Sequence, residues 1–534
     1  MRLNLTKILH PKLIWVLVSL FLAIVFILLT YMPLILYGGI IVDDWGDIAH
    51  NLTCVNFSDC YLSWFPLFSN RPLAPLPITT LTFLFETNFS AYLICNTAIY
   101  LAAIYLFASV IKKIVTYEAA LIFFLLASIP MIAMPLVSSP INQSTATVSF
   151  LYWAISLWLL YQGTHKKLWV FFCASYFFLL FSFLTYEIIL PLILINALFP
   201  WIILGNGQQK TKWFKYCIKF ILPILVILLI VTLWQKGIAP RFMEVDSRLK
   251  FIPSHSLAKL HTWLHVFFMQ IPNLFLKTRD FFTAYSLLTA LILVFCLLSS
   301  SFSRPIASMN NSRNQRFFLV CCLSFFASVL IFILSDESAV SWGYQARGLS
   351  STWFTFALFL SSSSSITNKL RFIYLFLLSI FCFLSSLSFS AQRDGYIESW
   401  KIQKIIINDV LDQLNTQVTQ PNLIVFGDVP KSLNLNYNDE IIFSQSWDFG
   451  DALRIYNPLL IAGGAVIDSR KKDFHNLQFT DKYILLDGWW KNDANNIWFY
   501  DFDPISKKGN LFKIEDLAHL KKYLQFLGAP GALN

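Results

Sequence analysis

The residues best suited to chemistry sit in one short run, where Asp43, Asp44 and Asp47 follow directly on a long apolar stretch. Adjacent carboxylates at the edge of a hydrocarbon phase repel one another and are partly desolvated, which raises the pKa of at least one. A carboxylate so tuned can take a proton from a hydroxyl nucleophile, or share a divalent cation with its neighbour. On a helix Asp43 and Asp47 would share a face while Asp44 points elsewhere. The plainer reading is that these acids only mark the end of an outward-facing helix. Arg71, between Asn70 and Pro72, is the second candidate. Its planar fork suits a phosphate, and the proline fixes the backbone behind it, although an arginine snorkelling from an interfacial helix looks the same. Tyr186 and Glu187 lie between two apolar runs, where a carboxylate is costly and therefore has either a function or a capping role. Asp336, Glu337 and Arg347 add two carboxylates and a cation, fit for an anionic lipid headgroup or for an ion pair among themselves.

Other chemistry-bearing residues carry less. Cys54 and Cys60 share a polar stretch and are disulfide candidates if that stretch faces an oxidising compartment. The remaining seven cysteines lie in or beside apolar runs, and no CxxC or Cys/His spacing is present. His261 and His265 have i, i+4 spacing, with His255 nearby, but no HExxH glutamate accompanies them, so packing at an interface is favoured over metal binding. Sequons occur at Asn51, Asn56, Asn88 and Asn142.

The elements that must position these residues are membrane helices. The chain is 57% hydrophobic and only 13% charged, against about a quarter charged in soluble domains, so lipid must be part of its solvent. The net charge of +10 is distributed in short segments between apolar runs, a topology signal rather than a nucleic-acid surface, and nucleic acid is not expected as a partner. A span needs roughly twenty mostly apolar residues. Candidate runs cover residues 13–37, 91–111, 118–137, 145–162, 168–185, 188–204, 217–234, 281–300, 317–335, 349–362 and 372–390. The first is too long for a signal-peptide core, lacks a small-residue cleavage site, and is read as a retained helix.

Alternating these runs from a cytoplasmic N-terminus places Lys112, Lys113, Lys166, Lys167, Lys210, Lys212, Lys215, Arg304, Arg313, Arg316, Lys369 and Arg371 on the cytoplasmic side. The short connections at 138–143 and 186–187 then lie outside and hold no basic residue, as the positive-inside rule requires. The expected fold is thus a polytopic α-helical membrane protein with about eleven transmembrane helices, N-terminus in and C-terminus out. Two longer outer loops, 38–90 and 236–280, would carry short interfacial helices. Beyond residue 390 the composition turns polar. Helical spacing over 397–414, strand-like runs near 422–428, 440–444 and 482–488, and a closing helix over 515–527 predict a soluble α/β domain over 391–534.

An acidic pair at the outer end of the first span, followed by a large first outer loop with an Arg-Pro element, resembles the GT-C superfamily of membrane glycosyltransferases. The bacterial O-antigen glucosyltransferases of the Gtr type and related mannosyl and aminoarabinosyl transferases are similar in plan. The resemblance rests on Asp43, Asp44 and Arg71, with weaker support from Tyr186 and Glu187, and thins after Asp280. It implies a GT-C-like transmembrane domain over 1–390 in a bacterial cytoplasmic membrane, with the active site on the outer face. It also implies a polyprenyl-phosphate-linked sugar as donor and a cell-envelope glycan or glycolipid, such as lipopolysaccharide, as acceptor. Asp43 would then be the base, with Asp44 orienting it or binding an ion. Arg71 and Arg347 would stabilise the leaving phosphate, Glu187 would bond sugar hydroxyls, and Trp447, Trp489 and Trp490 could stack on a sugar ring. No cofactor is demanded; a divalent cation is the one candidate. A polysaccharide polymerase or ligase, or a lipid-linked glycan flippase, are the alternatives. Ionisable residues gathered at one membrane boundary, rather than at mid-membrane, argue against the flippase.

Overall fold

The computed structural model describes residues 11–203, 210–242, 255–302, 311–334, 339–341, 344–364, 371–414, 423–427, 432–435, 438–441, 443, 446–457, 463–466, 477–479, 483–486, 490–493, 497–503, 506–513, 518 and 522. Helix α1 (Pro11–Tyr37) is followed by three short helices, α2 (Asp43–Leu52), α3 (Phe57–Trp64) and α4 (Pro75–Phe85). Next come α5 (Phe89–Ile114), α6 (Tyr117–Ala127), the single turn α7 (Pro135–Ser138), α8 (Ser144–Lys166) and α9 (Trp169–Thr185). A 3-10 turn at Glu187–Leu192 leads into α10 (Ile193–Ile203), then α11 (Lys210–Leu233), α12 (Ser256–His265), α13 (Ile271–Thr278) and α14 (Ala284–Phe302). The series continues with α15 (Asn311–Ala327), α16 (Val329–Ile333), α17 (Ser350–Ser363) and the 44-residue α18 (Arg371–Leu414).

Among the described residues six helical stretches are long and apolar enough to cross a membrane: Leu13–Tyr37, Phe89–Ile114, Ser144–Lys166, Lys219–Arg241, Ser312–Ile333 and Arg371–Leu414. Helix is present in all eleven expected runs, but Tyr117–Ala127, Trp169–Thr185, Glu187–Ile203, Ala284–Ser299 and Ser350–Ser363 are shorter. The outward faces stay apolar, with Phe21, Ile24 and Leu28 on α1, Leu225 and Leu229 on α11, and Phe376 and Leu377 on α18 all exposed. Contiguous bare faces of this kind fit lipid, not water.

The run expected as one span over 118–137 departs from that expectation. Its helix stops at Ala127, and residues 128–134 continue irregularly into α7. Pro130 and Pro135 explain the break, since each lacks an N–H and disfavours helix in the residue before it. Irregular backbone at this depth is tolerated only where its polar groups find partners. Five side chains provide them: Trp353 Nε1 donates to Leu126 O at 3.0 Å, Tyr100 OH to Ala127 O at 2.6 Å and Tyr31 OH to Ser128 O at 2.5 Å. Gln392 Nε2 donates to Met131 O at 2.9 Å and Asn96 Nδ2 to Leu136 O at 3.0 Å.

A second difference concerns α18, expected as a span ending at 390 and a separate helix over 397–414. It is continuous, and at about 1.5 Å per residue it is about 65 Å long. No proline interrupts it, and buried Arg393 ties its middle to α1. Pro33 cannot donate to Leu29 O. Tyr285 OH fills that vacancy at 2.6 Å, and Arg393 Nη1 reaches Leu29 O at 3.4 Å and Thr30 O at 3.0 Å, while Asp394 balances the guanidinium at 2.7 Å.

Beyond α18 lie β1 (Leu423–Gly427), the hairpin β2 (Ser432–Leu435) and β3 (Asn438–Ile441), and helix α19 (Ser446–Tyr456). Strands β4 (Gly463–Val466), β5 (Leu477–Phe479), β6 (Tyr483–Leu486), β7 (Trp490–Asp493), β8 (Ile497–Asp503) and β9 (Lys508–Lys513) follow. One sheet has the order β4-β1-β8-β9, with β1 parallel to both neighbours and β9 antiparallel to β8. Strands β5, β6 and β7 form an antiparallel meander. The closing helix expected over 515–527 lies outside the described residues apart from 518 and 522. The end of α18 grips this sheet. Asp409 Oδ2 accepts from Tyr500 OH at 2.5 Å and Gly509 N at 2.8 Å, and Gln413 bonds Gly509 O at 3.0 Å and Leu511 N at 2.8 Å.

Candidate active site

Helix α2 begins under constraint. Val42, its N-cap, has φ 48°, a left-handed conformation that a β-branched residue rarely adopts, and costs of about 1–3 kcal/mol at such positions persist only where packing enforces them. Packing does so here. Ile40, Ile41 and Val42 are buried, and Gly39 lies so close to the Trp400 ring that a Cβ would fall 2.2 Å from it. Trp45 stacks on Trp400 with ring centroids 5.6 Å apart and donates to Gln403 Oε1 at 2.8 Å. Helices α3 and α4 are knitted to α2 as well: Asn51 Nδ2 donates to Thr82 Oγ1 at 2.7 Å, Trp64 Nε1 to Asn51 Oδ1 at 2.8 Å, and a disulfide joins Cys54 to Cys60.

From this base Asp43 meets Arg347, whose Nη1 lies 3.1 Å from Asp43 Oδ2, with both side chains partly exposed. Arg347 comes from the 3-10 turn Tyr344–Leu349 that precedes α17. Asp44 points the other way and is fully buried. Its Oδ1 accepts from Ser139 Oγ at 2.9 Å, Asn142 N at 2.8 Å and Ile141 N at 3.2 Å. Burial pushes its pKa up to about 7, against the pull of those donors. Asp44 therefore anchors the loop between α7 and α8. Asp47, one turn beyond Asp43, is also buried, and its pKa is raised by that burial and by the charges of Asp43 and Asp44.

Arg71 sits in a fixed corner. Leu73 N donates to Leu184 O at 3.1 Å, joining its segment to the end of α9, and Trp234 Nε1 donates to Ser69 O at 2.7 Å. The Arg71 fork bonds both carboxylate oxygens of Glu187, with Nε–Oε2 at 2.6 Å, and its plane lies 4.3 Å above the Tyr186 ring. Bidentate pairing with a stacked face is the geometry that sets arginine apart from lysine. Burial disfavours the Arg71 charge, Glu187 restores it, and Arg347 is near enough to oppose it. The pairs Asp43–Arg347 and Arg71–Glu187, from four separate parts of the chain, thus make one cluster.

Helix α19 packs on α2, bringing Asp451 within electrostatic reach of Asp47. Burial raises the Asp451 pKa to about 6, and Arg454, 3.1 Å away, moderates it. Asp336 and Glu337 lie outside the described residues, as do Trp489 and the side chains of Trp447 and Trp490. His261 and His265 stack on the exposed face of α12 with ring centroids 6.4 Å apart. Among the described residues no group of three or more His, Cys, Asp or Glu is placed to share a metal ion. The sequon asparagines hold structural bonds: Asn56 and Asn88 cap α3 and α5, Asn51 binds α4, and Asn142 binds Asp44 and Asp47.

Sequence reasoning passed over Asn142, Gln143 and Asp451. Asn142 stood out only as a sequon, and an interaction between α2 and α19 leaves no local signal. No family model and no curated protein matches the chain. Among solved structures the chain is similar to ArnT from Cupriavidus metallidurans bound to undecaprenyl phosphate, at 14% identity and a TM-score of 0.36, covering 86% of this chain and 90% of that one. The same protein in the apo state gives 12% identity and a TM-score of 0.37, covering 92% and 93%. A likeness at this level assigns neither family nor activity.

Proposed function

We propose that this chain is a membrane glycosyltransferase that moves a sugar from a polyprenyl-phosphate donor to a hydroxyl of a cell-envelope glycan or glycolipid, at the outer face of the membrane. The observation that carries the reading is the cluster of Arg71 and Arg347, two like charges held together, each by a carboxylate. A phosphate entering between them would satisfy both guanidinium groups at once. It would also draw Arg347 away from Asp43 and leave that carboxylate free to act as a base.

In the reaction the acceptor oxygen attacks the anomeric carbon while the bond from that carbon to the phosphate oxygen breaks. The acceptor proton goes to Asp43, and the electron pair leaves with the phosphate, where Arg71 and Arg347 stabilise the growing charge. Glu187 and Tyr186 hold Arg71 in plane. Asp44 keeps the loop at 139–142 against α2 and so acts as a positioning residue. Helix α19 and the sheet behind it would roof the site.

The test uses the full chain reconstituted in liposomes with a radiolabelled polyprenyl-phosphate sugar and a glycolipid acceptor. Asp43→Asn is expected to lower transfer at least about a hundredfold, the scale of a lost general base. Transfer at the unsubstituted rate in Asp43→Asn would remove the assigned mechanism.

A further inference from the structure

The loop between α7 and α8 contains a polar chain that the transfer chemistry leaves unused. Gln143 Nε2 donates to Asn142 Oδ1 at 2.9 Å, and the Asn142 amide bonds Asp47 in turn. At each end of this chain an acceptor has no donor among the described residues: Asp47 Oδ2 and Gln143 Oε1 are both without a hydrogen bond there. Both residues are buried, Asp47 at 4% and Gln143 at 2% exposure. Leaving such a group unsatisfied is costly, because its desolvation is not repaid. The same loop directs three donors to Asp44 Oδ1, so it has donors within reach of α2 and sends them elsewhere.

We propose that Asp47, Asn142 and Gln143 form a carbohydrate subsite, in which two hydroxyls of one sugar ring bond Asp47 Oδ2 and Gln143 Oε1. The inference rests on the glycosyl-transfer reading and names the part of the site that would hold the sugar. Asp47 follows Asp43 by four residues on the same face, a rise of about 6 Å, which is close to the width of a pyranose ring. A sugar anchored at Asp47 would therefore reach Asp43 with its far edge. Phosphate is excluded here by Asp43, Asp44 and Asp451, whose charges all act on Asp47. A hydroxyl suits the place because it both donates and accepts. It can serve Asp47 in either protonation state, which matters for a carboxyl whose pKa is raised by burial first and then by its acidic neighbours.

The full chain in nanodiscs is heated with and without the methyl glycosides of glucose, mannose and galactose, together with their monodeoxy analogues. At least one methyl glycoside is expected to raise the unfolding midpoint in a saturable way. Loss of the hydroxyl that meets Asp47 should weaken binding about tenfold or more. Asp47→Leu and Gln143→Leu should abolish the sugar-dependent shift while unfolding no lower than the unsubstituted protein, because each removes an orphaned acceptor. If none of the glycosides shifts the midpoint, or the shift persists in both variants, the subsite is wrong. Should both variants fail to fold, the deoxy series on the unsubstituted chain decides, and equal affinity across that series rejects the subsite. The transfer assay separates the two claims: transfer without glycoside binding removes only the subsite, and glycoside binding without transfer removes only the assigned activity.

Discussion

Asp43 and Asp44 are neighbours in sequence and opposites in environment. Asp43 remains partly exposed and meets an arginine, whereas Asp44 is sealed in and meets only neutral donors. The difference has a consequence for pH. With its folded pKa near 7, above the ordinary value of 3.8, Asp44 binds a proton on folding across that interval. Its contribution to stability is therefore full below about pH 4 and is lost as pH rises through 7, a term on the order of 4 kcal/mol. Asp47 acts in the same direction. Asp44→Asn keeps an oxygen that can accept the three donors of the loop and removes the titration. We expect it to unfold at pH 7 no lower than the unsubstituted chain, and to show a shallower loss of stability between pH 4 and 7 in thermal melts. A steep loss at pH 7 with an unchanged slope would show that the loop needs the charge.

At the scale of elements, the site depends on how α1 is turned into α2. Gly39 allows the chain to pass beneath Trp400, and Val42 then takes a left-handed conformation that starts α2 with Asp43 facing Arg347. A methyl group at Gly39 would meet the Trp400 ring at 2.2 Å, an approach that something must yield to. Gly39→Ala is expected to cost about 1–3 kcal/mol, the usual range for overpacking, and to disturb the Trp45–Trp400 stack. A lowered melting temperature together with a changed tryptophan emission would report both effects, and a melt identical to the unsubstituted protein would contradict the packing described. The broken helix after α6 follows the same logic. Its prolines end the helix, and donors from α1, α5, α17 and α18 make the irregular backbone tolerable, so that the loop can reach Asp44.

For the whole molecule, α18 is the link, passing without a break from the apolar bundle to the sheet that it holds through Asp409 and Gln413. Removing the Asp409 carboxylate leaves the Tyr500 hydroxyl and the Gly509 amide without their acceptor. Asp409→Ala should therefore loosen the sheet from α18 without unfolding the bundle, seen as faster limited proteolysis beyond residue 414 at an unchanged rate within the helices. Equal cleavage rates in both forms would mean that this junction is held by other contacts. The orientation in the membrane is tested separately. A cysteine placed near Gly427 is expected to react with an impermeant reagent added to intact cells, whereas protection would mean an odd error in the number of spans.

Hydropathy adds up locally along a chain, and for that reason the sequence alone located the apolar helices and marked strands near β1, β3 and β6, while the other six strands went unmarked. It also singled out Asp43, Arg71, Glu187 and Arg347, because ionisable groups next to apolar runs are conspicuous wherever they fold. What it could not supply was partnership. Asp43 and Arg347 are 304 residues apart, and Arg71 and Glu187 are 116 apart. No spacing rule connects positions so distant. The separation of roles between Asp43 and Asp44 was equally hidden, since it depends on which of them the loop at 139–142 covers. Only the tertiary structure decided these points, because burial and ion pairing are properties of what surrounds a side chain rather than of what precedes it.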